Sequence, residues 1–184
     1  MSKYLIAALA VSTAVIAAPA MAQDADTTFS GLHAEVLGGW DRDQGLERHD
    51  NGVLYGIGAG YDLRRGNTVF GIEGEASDST QKKELGAVTE KASRDLYVGG
   101  RLGYVLGGNN LLYAKAGYTN ARYTVDGTAT GVNLAEGNLD GVRVGAGIEH
   151  QLGSRTFVKA EYRYSNYEQG VSRNQVVAGF GVRF

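Results

Sequence analysis

Cysteine is absent from this 184-residue chain, and proline occurs once, at Pro19. The first absence excludes disulfides, thiolate chemistry and zinc held by cysteines, so an exported form must find its stability elsewhere. An excess of charge of one sign is lacking as well. The formal net charge is -2, which leaves no basic stripe for nucleic acid, and nucleic acid is not expected as a partner. After the N-terminal stretch the chain has no apolar run of the roughly 18 residues that a spanning helix needs. Any crossing of a membrane by the remainder must therefore use a closed sheet. What the chain does have in quantity is glycine, 28 residues, together with 11 tyrosines.

The N-terminus follows the plan of a secretory signal. Lys3 supplies positive charge, Tyr4 to Ala18 form an apolar stretch, and Ala20, Met21 and Ala22 make a small-x-small cleavage site. Residues 1–22 are expected to be removed, with the cut after Ala22. Residues 23–184 then form one domain, and the lone proline leaves with the signal.

Strict two-residue alternation dominates after residue 28, the period of a strand whose two faces meet different environments. Eight runs carry it. In the first, Leu32, Ala34, Val36 and Trp40 oppose His33 and Glu35. The second sets Tyr55, Ile57 and Tyr61 against Gly56, Gly58, Gly60 and Asp62, and the third sets Phe70, Ile72 and Ala76 against Glu73 and Glu75. The fourth opposes Leu96, Val98 and Leu102 to Asp95, Gly99 and Arg101, and the fifth opposes Leu112, Ala114 and Tyr118 to Lys115 and Gly117. In the sixth, Val142, Val144 and Ile148 face away from Arg143, Gly145 and Glu149. The seventh sets Val158, Ala160, Tyr162 and Tyr164 against Lys159, Glu161, Arg163 and Ser165; the last sets Val176, Ala178, Phe180 and Phe184 against Gln175, Gly179 and Arg183.

Connections alternate in length. Arg65 to Thr68, Gly107 to Asn110 and Gln151 to Arg155 are short and carry Gly or Asn at turn positions. Asp41 to Gly52, Asp78 to Ser93, Tyr123 to Asn138 and Asn166 to Ser172 are long and polar. The fold class expected is all-β, an eight-stranded antiparallel up-and-down transmembrane β-barrel with periplasmic turns, extracellular loops and both mature termini periplasmic.

A soluble barrel would bury the apolar face instead. Three features favour lipid. The strands are long enough to cross a bilayer when tilted. Glycines gather on the charged face, where a narrow lumen needs room for large side chains. Aromatic residues on the apolar face gather toward strand ends: Trp40, Tyr55, Tyr118 and Tyr164 at one, Tyr61, Phe70, Tyr104 and Phe184 at the other. The lumen then receives Glu35, Asp62, Glu73, Glu75, Asp95, Glu149 and Glu161 with Arg101, Lys115, Arg143, Lys159, Arg163 and Arg183. Near balance of sign predicts an ion-pair network that fills the lumen over a ring that selects ions.

These residues together resemble the small outer-membrane β-barrel proteins of Gram-negative bacteria, which include the OmpA-type barrel, opacity-like proteins and alphaproteobacterial surface antigens. The likeness is most specific in Lys159-Ala-Glu-Tyr-Arg-Tyr-Ser-Asn-Tyr167 and in Gln175-Val-Val-Ala-Gly-Phe-Gly-Val-Arg-Phe184. It implies a place in the cell outer membrane among lipid and lipopolysaccharide. It also implies recognition by the barrel-assembly machinery through the C-terminal strand ending at Phe184. Cell-wall anchoring through a domain after the barrel is not carried over.

The function expected is that of a monomeric structural surface protein, with a small porin-like channel as the alternative. A lipid A-modifying enzyme is a third reading. Deacylases of this barrel size carry a His-x-Ser-Asn run, and here Arg163-Tyr164-Ser165-Asn166 stands in its place. A guanidinium cannot serve as a general base near neutral pH. His33 beside Glu35 reads as lumen packing, His49 falls in a loop and His150 at a turn, so no catalytic, metal or cofactor residue is assigned.

Overall fold

The computed structural model describes residues 28–45, 48–80, 82–85, 88–127, 133–168 and 171–184. The expected export signal, residues 1–22, lies outside them, as do the tips of all four long connections.

Alternation becomes sheet in nine segments: β1 (Gly31–Gly45), β2 (Arg48–Arg65), β3 (Thr68–Ser79), β4 (Lys82–Leu85), β5 (Val88–Leu106), β6 (Asn110–Gly127), β7 (Asn133–Gln151), β8 (Thr156–Tyr167) and β9 (Ser172–Arg183). Each is antiparallel to its neighbours. The ring closes where β1 pairs with β9, from His33 opposite Arg183 to Gln44 opposite Ser172. β4 pairs with β5 alone, beyond the point where β3 and β5 part at Ser77 and Asp95, so it prolongs β3 and adds no stave. Eight staves therefore form a closed antiparallel barrel. Closure is what lipid demands, since an open edge in hydrocarbon would leave backbone N–H and C=O groups without partners.

The short turns fall where expected. Gly66, Gly107 and Gly108 take φ of 63°, 62° and 82°, left-handed values that a side chain would resist. The long connections differ from expectation. Most of Asp41–Gly52, Asp78–Ser93 and Tyr123–Asn138 is strand, because β1 runs to Gly45, β2 starts at Arg48, β5 starts at Val88, and β6 and β7 run to Gly127 and from Asn133. Polar composition had pointed to loop. In water a strand can be polar on both faces and still satisfy its backbone across the ladder, so polarity marks where the bilayer ends and not where pairing ends.

The two faces of the sheet are inverted relative to a soluble barrel. Trp40, Ile72 and Val98 are 72%, 70% and 60% exposed, whereas Arg143, Arg163 and Glu149 are fully buried. The girdle residues Trp40, Tyr55, Tyr118 and Tyr164 at one end and Tyr61, Phe70 and Tyr104 at the other are all exposed; Phe184 is half-buried. At the turn end Phe29 is buried with Val69, Val105, Leu111 and Tyr113, and it holds a φ of 67° to get there. That conformation is unfavourable for an aromatic residue, and the burial of its ring offsets it.

Candidate functional site

Residues that alternate inward from eight staves converge in the lumen, and their charges fall into three layers. Nearest the turns, Asp62 of β2 and Glu149 of β7 alternate with Arg101 of β5 and Arg183 of β9. Arg101 Nε donates to Asp62 Oδ1 at 2.8 Å and Arg101 Nη1 to Glu149 Oε2 at 3.1 Å. Arg183 donates to the same two acids at 2.6 and 2.7 Å. His33 Nδ1 lies 3.3 Å from Asp62, and its ring meets Phe157 edge-on.

The middle layer is built on Lys115 of β6, whose Nζ lies 2.9, 2.8 and 2.9 Å from Glu73, Glu75 and Glu161. Arg163 of β8 joins Glu75 at 2.8 Å and Glu161 at 2.7 Å, and Tyr113 Oη donates to Glu161 at 2.7 Å. Lys159 Nζ reaches Glu35 Oε1 at 2.6 Å. In the layer nearest the loops, Arg143 pairs with Asp95 and donates to Ser165 Oγ at 2.8 Å. Asp95 also accepts from Thr119 Oγ1 at 2.7 Å and Tyr167 Oη at 2.9 Å.

All eleven residues singled out for the lumen, and Asp62 and Asp95 besides, are buried within this network. Six residues of the network were not anticipated. Arg173 lies 3.5 Å from Asp41 and 3.6 Å from Asp95, which adds one base and one acid. Both residues keep the inward phase of their strands, but Asp41 falls within, and Arg173 beside, a stretch read as loop. The other four are aromatic: Tyr97, Tyr113, Phe157 and Tyr167 point inward. The cations Lys115 and Arg143 stand 4.7 and 5.4 Å from the Tyr97 ring, and Arg183 stands 5.5 Å from that of Phe157. Such contacts add attraction in a desolvated site. Counted with these additions, eight buried acids face seven buried bases and His33.

Among the described residues, the groups weighed for acyl transfer are not brought together. Ser165 accepts from Arg143, and His33 and Glu35 engage Asp62 and Lys159 respectively, not each other.

Glycine makes the network sterically feasible. A Cβ on Gly179, between β8 and β1, would stand 2.9 Å from Lys159 Cγ, and one on Gly58 would stand 2.7 Å from Glu35 Oε1. Gly179→Val should therefore destabilise the barrel by about 1–3 kcal/mol through overpacking. Gly38, whose added Cβ would meet nothing within 4 Å, should accept alanine within about 0.5 kcal/mol. Urea titration of the folded fraction measures both.

Comparison with known proteins agrees with this geometry. The chain is 29% identical over 154 residues to a 22 kDa outer membrane protein of Rhizobium leguminosarum bv. viciae, covering 77% of this chain and 71% of that one. It is 27% identical over 130 residues to the 25 kDa outer-membrane immunogenic protein of Brucella ovis, covering 70% of this chain but only 62% of that one, less than two thirds of its length. In fold it is similar to Ail, the attachment invasion locus protein of Yersinia pestis, with a TM-score of 0.63 at 16% identity over 84% of this chain and 99% of Ail. Neisserial surface protein A gives 0.66 at 17% identity over 84% of this chain and 98% of that one. Residues 7–184 match the family described as the outer membrane protein beta-barrel domain, and the chain belongs to it, a barrel of the Gram-negative outer membrane.

Proposed function

We propose that this protein is a structural surface barrel whose lumen is shut by its own ion pairs and whose contacts with the outside run through the extracellular ends of its strands. The observation that carries the reading is the stack of salt-bridged layers: Asp62, Glu149, Arg101 and Arg183, then Lys115 and Arg163 with their glutamates, then Arg143 with Asp95. A narrow barrel filled with paired side chains leaves no standing aqueous path. Residues 1–22 serve as the export signal, the mature domain is 23–184, and both its termini lie in the periplasm. The final strand, ending at Phe184, is the segment read by the barrel-assembly machinery, and the barrel stands as a monomer in lipid and lipopolysaccharide. The Brucella ovis relative is named as immunogenic, which supports the reading that the strand ends here face the cell's surroundings.

Two measurements on one preparation test this. Protein extracted from outer membranes should migrate differently on electrophoresis before and after boiling, as a closed barrel does. Planar-bilayer recordings should show no steady single-channel steps. Regular steps would overturn the shut lumen and favour a small channel, in which the middle layer must rearrange.

A further inference from the structure

The turn end of the lumen is closed by an apolar ring as well as by ion pairs. Phe29 precedes both ladders of its stave: β1 pairs with β2 from Gly31 onward and with β9 from His33 onward. Its side chain is fully buried with Val69 of β3, Val105 of β5, and Leu111 and Tyr113 of β6. In the closed order β6 stands four staves from β1 in either direction, so a residue at the foot of β1 that packs on β6 lies across the mouth. Above the ring is the charged layer nearest the turns. The guanidinium carbon of Arg183 stands 5.9 Å from the centre of the Phe29 ring and 5.5 Å from that of Phe157, while its nitrogens hold Asp62 and Glu149.

Two hydrogen bonds from side chains hold this segment among the described residues. Arg64 Nη1 donates to the Thr28 carbonyl at 3.0 Å, and Ser30 Oγ donates to the Asp62 carbonyl at 3.3 Å. Movement of residues 28–30 breaks no ladder pair. The backbone is bent to seat the ring: φ is 67° at Phe29 and 105° at Gly31, where a Cβ would stand 2.5 Å from the main-chain oxygen of Phe184. The left-handed conformation disfavours an aromatic residue, so Phe29 is strained while seated and relieved when it leaves. Glycine adopts positive φ without that penalty, which makes Gly31 the place where the chain can turn.

We propose that residues 28–31 form a strap over the turn-end mouth, with Phe29 as its cork and Gly31 as its pivot, and that the strap opens and closes the cup of Val69, Val105, Leu111 and Tyr113 while the barrel and its charged layers stay intact. Opening is local because the strap lies outside the ladders, and segments with few backbone pairs open at a lower free energy than the whole fold. Burial of the ring and its contact with the Arg183 cation favour the closed state. The layers above keep a seal of their own, since Tyr113 remains tied to Glu161 through its hydroxyl. The inference goes beyond the shut lumen: conductance tests the layers, and access to the cup tests the strap.

The chain has no cysteine, so a single introduced thiol reports access without background. The test places one in the cup, Val69→Cys, or one above the middle layer, Ser165→Cys, both at fully buried side chains. Whole folded protein in detergent micelles is treated with a small water-soluble methanethiosulfonate, and the labelling rate is read by intact mass, relative to the same thiol in the urea-unfolded chain. With Phe29 in place, residue 69 should label about tenfold faster than residue 165, because the strap opens without the layers. Adding Phe29→Ala should speed labelling at 69 by about tenfold more and leave 165 unchanged, whereas Phe29→Leu, which keeps an apolar cork, should stay close to the rate with Phe29. Equal rates at 69 and 165 with Phe29 in place would overturn the proposal. So would a rise of the same size at both positions in Phe29→Ala, since Phe29 would then stabilise the barrel only as a whole. The first comparison leaves Phe29 unchanged, so a Phe29→Ala chain that fails to fold does not remove the test.

Discussion

Lys159→Met is expected to lower the free energy of unfolding by about 3–5 kcal/mol, the penalty for leaving a buried charge without its partner. The charge left behind is Glu35. Its Oε1 accepts from Lys159 at 2.6 Å, and its Oε2 has no hydrogen-bond partner among the described residues. The other acids near Lys159 are better supported: Glu75 and Glu161, at 3.8 and 3.6 Å, keep Lys115 and Arg163. Removing both members of the pair, in Lys159→Met/Glu35→Leu, should return stability to near the wild-type value, because the cost of desolvating each ion disappears with it. Urea unfolding followed by the loss of heat-modifiable mobility gives both numbers. A single variant within about 1 kcal/mol of wild type would mean that Glu35 is hydrated or protonated in the lumen. In the first case water reaches the middle layer and the shut lumen is wrong.

The fold was legible because a bilayer and a narrow lumen impose opposite chemistry on alternate residues, and the contrast survives in every stave. Sidedness and the charged layer follow from that one period, and the short turns at Gly66 and Gly107 from the Gly and Asn residues that separate the runs. What the period concealed has two causes. Tyr97 and Phe157 are inward by phase but apolar or amphipathic by type, so a rule that sends aromatics to the girdles passes over them. Their rings lie over backbone that lacks side chains: a Cβ on Gly117 of β6 would stand 2.9 Å from Cε2 of Tyr97 on β5, and one on Gly181 of β9 would stand 2.7 Å from Cε1 of Phe157 on β8. Large residue and glycine form a pair across strands, which is invisible along one strand. The second cause is the end of the membrane. Above it both faces meet water, alternation loses its meaning, and continued strand in β2, β5 and β7 is mistaken for loop. Arg173 and Asp41 sit at that border. Phe29 lies before the first alternating run and carries no periodic signal, so its place at the turn end follows only from three-dimensional packing.

The same guanidinium should be accepted at residue 143 and rejected at residue 144. Arg143 points inward to Asp95 and Ser165 and is fully buried; Val144 points outward and is 48% exposed to what becomes hydrocarbon. On the outer face of β7, Val144 lies near the middle of the row that runs from Asp140, beside Tyr118, to His150, at the short turn into β8. Val144→Arg should therefore cost about 2–4 kcal/mol in folding into phospholipid vesicles, and His150→Arg about 0–1 kcal/mol, since the penalty falls toward the interface. The contrast isolates lipid from strand propensity, because both substitutions place the same residue on the same face of one strand. In detergent micelles, which admit water more readily, the difference between the two should shrink. Equal costs at 144 and 150 in vesicles would mean that the apolar face does not meet a hydrocarbon gradient. The inward layers would then have to be explained as the wet face of an inverted, soluble barrel, a conclusion that full burial of Arg143, Arg163 and Glu149 opposes from the other side of the same sheet.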